Sequence, residues 1–120
     1  MRTERSDPAY ILDMLQAAKE VSEFLSGVTV GAYLSNKMIR AAVERKIEII
    51  GEAARGVTEA FRNAHPEIPW RAIVAQRNVI AHDYGDIKHE KLWNVASVKI
   101  VEVIPMLEII VEELMRSDKS

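Results

Sequence analysis

Between residues 77 and 86 the chain reads Arg-Asn-Val-Ile-Ala-His-Asp-Tyr-Gly-Asp. Side chains able to grip an anion, move a proton and donate a hydrogen bond are concentrated here and nowhere else. Arginine stays cationic and presents a planar fork of donors that fits two oxygens of one phosphate. Histidine titrates near neutrality and can serve as acid or base. Asn78 and Tyr84 add neutral hydrogen-bonding groups within the same short stretch. Arg77, Asn78, His82 and Tyr84 are therefore the candidate functional residues.

Arg77 is also out of place. Trp70, Ile73, Arg77, Ile80 and Tyr84 are spaced three, four, three and four, which puts the arginine in the middle of an apolar helical stripe. A guanidinium there cannot shed its charge, so it must find a carboxylate, backbone carbonyls or an anionic ligand. Each residue also has an ordinary structural role open to it: a salt bridge for the arginine, the helix dipole for the histidine, core packing for the tyrosine. On an uninterrupted helix Arg77 and Tyr84 align, whereas His82 sits to the side unless the helix ends near it, and Gly85 is the expected terminator. His65 and His89 read as solvated, and no metal-ligand cluster, phosphate loop, dinucleotide fingerprint or nucleophile elbow is present. Neither a metal nor another cofactor is expected. Asp83 and Asp86 could be paired carboxylates, but Asp86 reads better as the cap of the last helix.

The elements that must position these residues are all helical. The first helix is expected to start with Ser6 or Asp7 as cap and Pro8 in its first turn, and to carry Ile11, Met14, Leu15, Ala18, Val21 and Leu25 inward before Gly27 and Gly31 break the pattern. The second, from Ser35 or Asn36, has the cleanest stripe: Ile39, Val43, Ile47, Ile50, Ala54, Val57 and Phe61. Gly51 and Gly56 inside it predict a close helix crossing, or a break near Gly56. After the turn His65-Pro66-Glu67-Ile68-Pro69, a third helix runs from Trp70 to around Gly85. A last helix from Ile87 to Met115 carries two apolar stripes, one through Leu92, Ala96, Val103, Leu107, Ile110 and Leu114, the other through Trp93, Ile100, Ile104, Val111 and Met115. Pro105 should kink it. Two stripes exceed what a small core needs, so part of this surface is expected to meet a second copy of the chain; the alternative is a last helix buried on most sides.

The 120 residues leave room for one domain, 1–120. Cysteine is absent, which removes disulfides and thiol nucleophiles and suits a reducing cytoplasm. The charged N-terminus and the short apolar runs predict neither export nor a membrane span. Net charge is −2, but it is uneven: residues 1–36, 37–77 and 78–120 carry −2, +3 and −3. Any polyanion site should involve the middle third.

The arrangement Arg77-Asn78-x-x-x-His82-Asp83-Tyr84 resembles the R-x4-H-x-Y motif of HepT-like toxins, a branch of the HEPN ribonucleases. Ile47-Glu48-Ile49-Ile50-Gly51-Glu52-Ala53-Ala54, Pro66-Glu67-Ile68-Pro69-Trp70 and Trp93 also look like family positions in the right order, so the resemblance runs from about Tyr10 to Leu114. One departure is Ile39-Arg40, where many relatives have a carboxylate or amide. The resemblance implies an all-α, antiparallel up-and-down bundle of four to five helices that dimerises so that the motifs of both chains face one cleft. It further implies metal-independent cleavage of RNA and a partner, a minimal nucleotidyltransferase antitoxin that transfers AMP to the motif tyrosine, here Tyr84.

Such cleavage is chemically reasonable for these side chains. RNA is cut when its own 2′-hydroxyl attacks the adjacent phosphate, which needs a base, an acid and cations for the developing charge. The expected roles are acid/base for His82, phosphate and transition-state stabiliser for Arg77, positioning for Asn78, and hydrogen bonding and modification for Tyr84. The alternative is a non-catalytic helical module that docks a nucleotidyltransferase and presents nucleotide or RNA to it.

Overall fold

A computed structural model describes residues 5–82 and 88–119; the side chains of residues 82, 118 and 119 are not described. Every described element is helical: α1 (Asp7–Phe24), α2 (Val30–Ser35), α3 (Lys37–Gly56), α4 (Glu59–Ala64), α5 (Trp70–His82), α6 (His89–Asn94), a π turn (Val95–Lys99) and α7 (Ile100–Lys119). No described helix is long and apolar enough to cross a membrane.

Local chemistry explains most boundaries. Ser6 caps α1 by accepting from the Ala9 N–H, with Asp7 and a proline in the first turn. Asn36 caps α3 through the Ile39 N–H at 3.0 Å. The expected pattern break at Gly31 is instead a short helix, α2, because Thr29 supplies a cap by accepting from the Ala32 N–H. Gly27, at φ 74°, makes the turn between α1 and α2. Gly56 ends α3, since Val57 is extended (φ −68°, ψ 137°), and the stripe's Phe61 belongs to the separate α4. The Asp7 carboxylate accepts from both the backbone N–H and the hydroxyl of Thr58, each at 2.8 Å. That contact ties the start of α1 to the junction after α3, so the two helices run antiparallel.

The core forms where these stripes meet. Ile11, Met14, Ala18 and Val21 of α1 lie buried with Val43, Ile47, Ile50 and Ala54 of α3 and with Val103, Leu107 and Ile110 of α7. α3 is central: it packs against α1 on one side and α5 on the other, while α7 packs against α1 and α2 bridges α3 to α6. An apolar groove of about 490 Å³ remains between α5 and α7, walled by Ile73, Ile100, Val103 and Met106 and floored by Ile47 and Ile50.

The last helical run differs from the two-stripe expectation. Leu92, Ala96, Ile100, Val103, Leu107 and Ile110 form a single buried set, with Trp93, Ile104, Val111 and Leu114 half-buried beside it. The π turn is the reason. A turn closed by i→i+5 bonds holds more residues than an α turn, so the consecutive four-residue steps from Leu92 to Ala96 to Ile100 stay on one line, and α spacing resumes afterwards. Met115, assigned to the second stripe, is 58% exposed. Pro105 lies within α7, downstream of this widened turn. The helix begins at Lys88 as cap position without a side-chain cap bond; Asp86 and Ile87, assigned to its start, lie outside the described residues.

Gly51 sets how closely α5 can approach. A Cβ placed on it would stand 2.7 Å from Arg77 Cγ, closer still to Arg77 Cβ, and 3.3 Å from the carbonyl oxygen of Ile73. Near Gly31 nothing but the Thr29 hydroxyl comes within 4.0 Å. Gly51→Ala should therefore lower stability by about 1–3 kcal/mol through overpacking, whereas Gly31→Ala should leave it unchanged or raise it by up to about 1 kcal/mol. Thermal unfolding of the two variants checks the contrast; equal losses would show that Gly51 is not a contact point.

Candidate active site

Arg77 is held at the α3–α5 crossing, on the face of α5 that also carries Trp70, Ile73 and Ile80. Trp70 and Ile80 are buried, and the Arg77 side chain is 19% exposed. Gly51 removes the side chain that would otherwise occupy the guanidinium stem's place. The charge has few partners. Nη1 donates to Asn78 Oδ1 at 3.2 Å, Nη2 stands 3.9 Å from Glu52 Oε1, and Nε is buried without a hydrogen-bond partner among the described residues. At 3.9 Å the Glu52 contact is Coulombic, too long for a hydrogen bond, and Glu52 is shared with Arg45, also at 3.9 Å. A fork of five donors with one hydrogen bond among the described residues has capacity left for an anion.

Asn78 follows on the exposed face of α5 and orients the guanidinium from its own helix. His82 is the last residue of α5, about 7.5 Å beyond Arg77 along the axis. Its side chain, together with Asp83, Tyr84 and the expected terminator Gly85, lies outside the described residues. Among the described residues, Arg77 and Asn78 are thus brought together by direct contact, and His82 is placed on the same helix by its backbone.

Three features escaped the reading of the sequence. Glu52 is the carboxylate that faces Arg77; its position one residue after Gly51 was the available signal. His65 is not solvated: its side chain is 20% exposed, its ring lies 4.5 Å from Phe61, and Nδ1 is 3.4 Å from Glu67 Oε2. Its carbonyl also accepts from Trp70 Nε1 at 3.0 Å. His89 is only part-solvated, since its Nδ1 is buried and faces Glu44 Oε2 at 3.7 Å. The approach of Glu44 on α3 to His89 on α6 is long-range, and no local spacing announces it.

Burial dominates the electrostatics around that second cluster. Glu44 is raised above the usual carboxylate range by desolvation, which the charges of His89 and Arg40 oppose. Tyr33 is fully buried, tilted against Trp93 at 5.3 Å between ring centroids, and its hydroxyl has no hydrogen-bond partner among the described residues. Desolvation first, then the nearby Glu44 charge, pushes its pKa up to about 12. No group of three or more His, Cys, Asp or Glu among the described residues is arranged to hold a metal ion.

Comparison with known proteins adds to this geometry. A family model described as ribonuclease HepT-like matches residues 14–114. A Methanocaldococcus jannaschii protein named "Putative RNase MJ1380" is 35% identical over 108 residues, covering 90% of this chain and 99% of that protein. A Thermococcus cleftensis protein named "Probable ribonuclease HepT" is 33% identical over 105 residues, covering 88% and 92%. A second M. jannaschii protein, "Putative RNase MJ0127", is 30% identical over 112 residues, covering 93% of each chain. No solved structure gives a significant match.

Tyr33 yields a pH prediction. Its folded-state pKa lies above the unfolded value of 10.0, so the stability contributed by the neutral phenol is complete below that value and lost as pH rises through about 12. Tyr33→Phe should keep the ring packing, remove an unpartnered hydroxyl and leave thermal stability at neutral pH unchanged or higher. It should also remove the ultraviolet ionisation step near pH 12. Survival of that step in the variant would assign it to another group.

Proposed function

The chain belongs to the HepT-like ribonuclease family, and from that premise we propose that Arg77 and His82 carry out its cleavage of RNA without a metal, in a cleft shared by two copies of the chain. It is an RNA-cleaving enzyme; the residues and the mechanism are the proposal. The observation that carries it is Arg77: a guanidinium held in an apolar stripe by a glycine crossing, with one hydrogen bond and one distant carboxylate among the described residues. Such a charge costs stability that a purely structural residue would not need to cost. An incoming phosphate would supply the missing acceptors.

In this mechanism one His82 imidazole takes the proton from a ribose 2′-hydroxyl. The freed oxygen attacks the adjacent phosphorus, and the bond to the 5′-oxygen of the next nucleotide breaks. The imidazolium of the other copy's His82 protonates that leaving oxygen, leaving a 2′,3′-cyclic phosphate and a free 5′-hydroxyl. Arg77 grips the non-bridging oxygens and offsets their growing charge, with Asn78 fixing the guanidinium plane. A twofold cleft supplies both protonation states at once. Support for the second copy comes from the exposed Val98, Val101 and Ile109 on the last helical run, beside the open apolar groove.

Regulation belongs to the same reading. The whole 120-residue chain would act as one domain in the cytoplasm, paired with a minimal nucleotidyltransferase antitoxin. Transfer of AMP from ATP to the Tyr84 hydroxyl, with release of pyrophosphate, would put a phosphodiester near the guanidinium meant for RNA. The tethered nucleotide would compete with substrate for the cleft.

Purified protein should cut RNA equally with and without chelator and leave cyclic-phosphate ends. Arg77→Ala and His82→Ala should each lower the cleavage rate by about a hundredfold or more with helicity and assembly unchanged. Dependence on added magnesium contradicts the mechanism, and full cleavage by either variant removes that residue from the site. Tyr84→Phe should keep much of the cleavage and resist AMP transfer, read by mass spectrometry after co-expression with the nucleotidyltransferase.

A further inference from the structure

A second concentration of positive charge lies one face away from Arg77 on α5. Arg71, Val74, Ala75 and Asn78 project along one side of that helix and, with Trp70, Arg55 from the end of α3 and Arg62 from α4, line a depression of about 410 Å³. Three arginines line this depression. None has a carboxylate within 4.0 Å among the described residues; the nearby Glu52 and Glu67 are engaged with Arg45, Arg77 and His65.

Helix electrostatics account for only part of the cluster. Arg55 and Arg62 sit in the last turns of α3 and α4, where a cation is favoured by the helix dipole. Arg71 does not fit that explanation. It is the second residue of α5, whose first turn holds no acidic residue, and a cation at a helix N-terminus is unfavourable. Like charges gathered around a concave surface, one of them against a helix dipole, are relieved by an anion from outside the chain. The three arginines come from the +3 middle third of the sequence.

The position identifies the anion. Asn78 lines the depression and also accepts from Arg77 at 3.2 Å, so the depression adjoins the candidate active site through one side chain. Arg71 and Arg77 are six residues apart on α5, about 9 Å along the axis, a separation that one or two nucleotides of single strand can span. We propose that the Arg55–Arg62–Arg71 depression is a second phosphate subsite of the RNA, holding the backbone phosphate of a nucleotide next to or one removed from the linkage that is cut. This rests on the assignment of RNA as substrate. It gives binding its length dependence: a dinucleotide reaches only Arg77, whereas a longer strand also reaches the depression.

The test is binding, not cleavage, of a fluorescent single-stranded oligonucleotide of about ten residues made uncleavable by 2′-deoxy substitution. Arg55→Ala/Arg71→Ala should weaken its affinity by roughly tenfold or more and reduce the salt slope by about 0.7, the amount expected for loss of one phosphate contact on a single strand. Lys19→Ala/Lys37→Ala, which removes the same charge from α1 and the far end of α3, should leave both unchanged. Circular dichroism verifies that the exposed substitutions leave the helices intact. Undiminished affinity in the arginine variant, while Arg77→Ala abolishes binding, overturns the subsite and leaves the substrate assignment standing. Equal weakening by both double variants also overturns it, because net charge alone would then suffice. Failure of the unaltered protein to bind any RNA overturns the subsite and the substrate assignment together.

Discussion

The close crossing of α3 and α5 at Gly51 is the constraint on which the candidate site depends. A glycine in the interior of a long helix weakens it by about 1 kcal/mol relative to alanine, yet α3 continues through Gly51 to Gly56. What the missing side chain allows is the seating of Arg77 Cβ and Cγ against the α3 backbone. The guanidinium is thereby fixed at the rim of the core, mostly out of water, with one hydrogen bond, at 3.2 Å, among the described residues. A larger residue at position 51 would push α5 outward, and the charge would gain solvent in place of its present confinement. The electrostatic tension at Arg77 is thus a product of backbone packing, and it exists before any ligand arrives.

The same helix divides three environments among its faces. Ile73 and Arg77 meet α3 at Gly51, with Ile80 buried on the same side; Trp70, Arg71, Val74, Ala75 and Asn78 line the basic depression; Ala72, Ile73 and Gln76 line the apolar groove toward α7. α5 carries no acidic residue. Its interior face supplies anchorage, its basic face suits a polyanion, and its groove face is suited to another apolar surface. In the proposed reading, RNA is the common ligand of the basic face and the confined arginine. The apolar groove is what a second copy of the chain would cover in the dimer proposed above.

Local chemistry was legible in the sequence wherever a side chain acts on its own helix. Ser6 and Asn36 announce caps, Gly51 and Gly56 announce a crossing and a break, and Arg77 stands out because its neighbours three and four positions away are apolar. α2 was hidden because six residues containing Gly31 give too little periodicity, and its stability comes from the Thr29 cap. Ile100, placed in the second stripe of the last helix, joins the buried set of the first because a π turn changes the angular step, which a search at fixed period cannot register. Glu44 with His89, and Arg55 with Arg62 and Arg71, are assembled by tertiary contact from residues whose sequence neighbours are unremarkable. Only the charge excess of the middle third hinted at the second of these.

The proposed role of the guanidinium confined at the Gly51 crossing is to receive RNA phosphate. Its most direct test is nitrogen–proton NMR of arginine side chains during titration with an uncleavable oligonucleotide, the Arg77 Nε–H signal being assigned by its loss in Arg77→Lys. A protected Arg77 signal is expected in the free protein, because Nε is buried, with a large shift in that signal as RNA binds and the guanidinium gains acceptors. An Arg77 signal that stays fixed while RNA saturates the protein would contradict it.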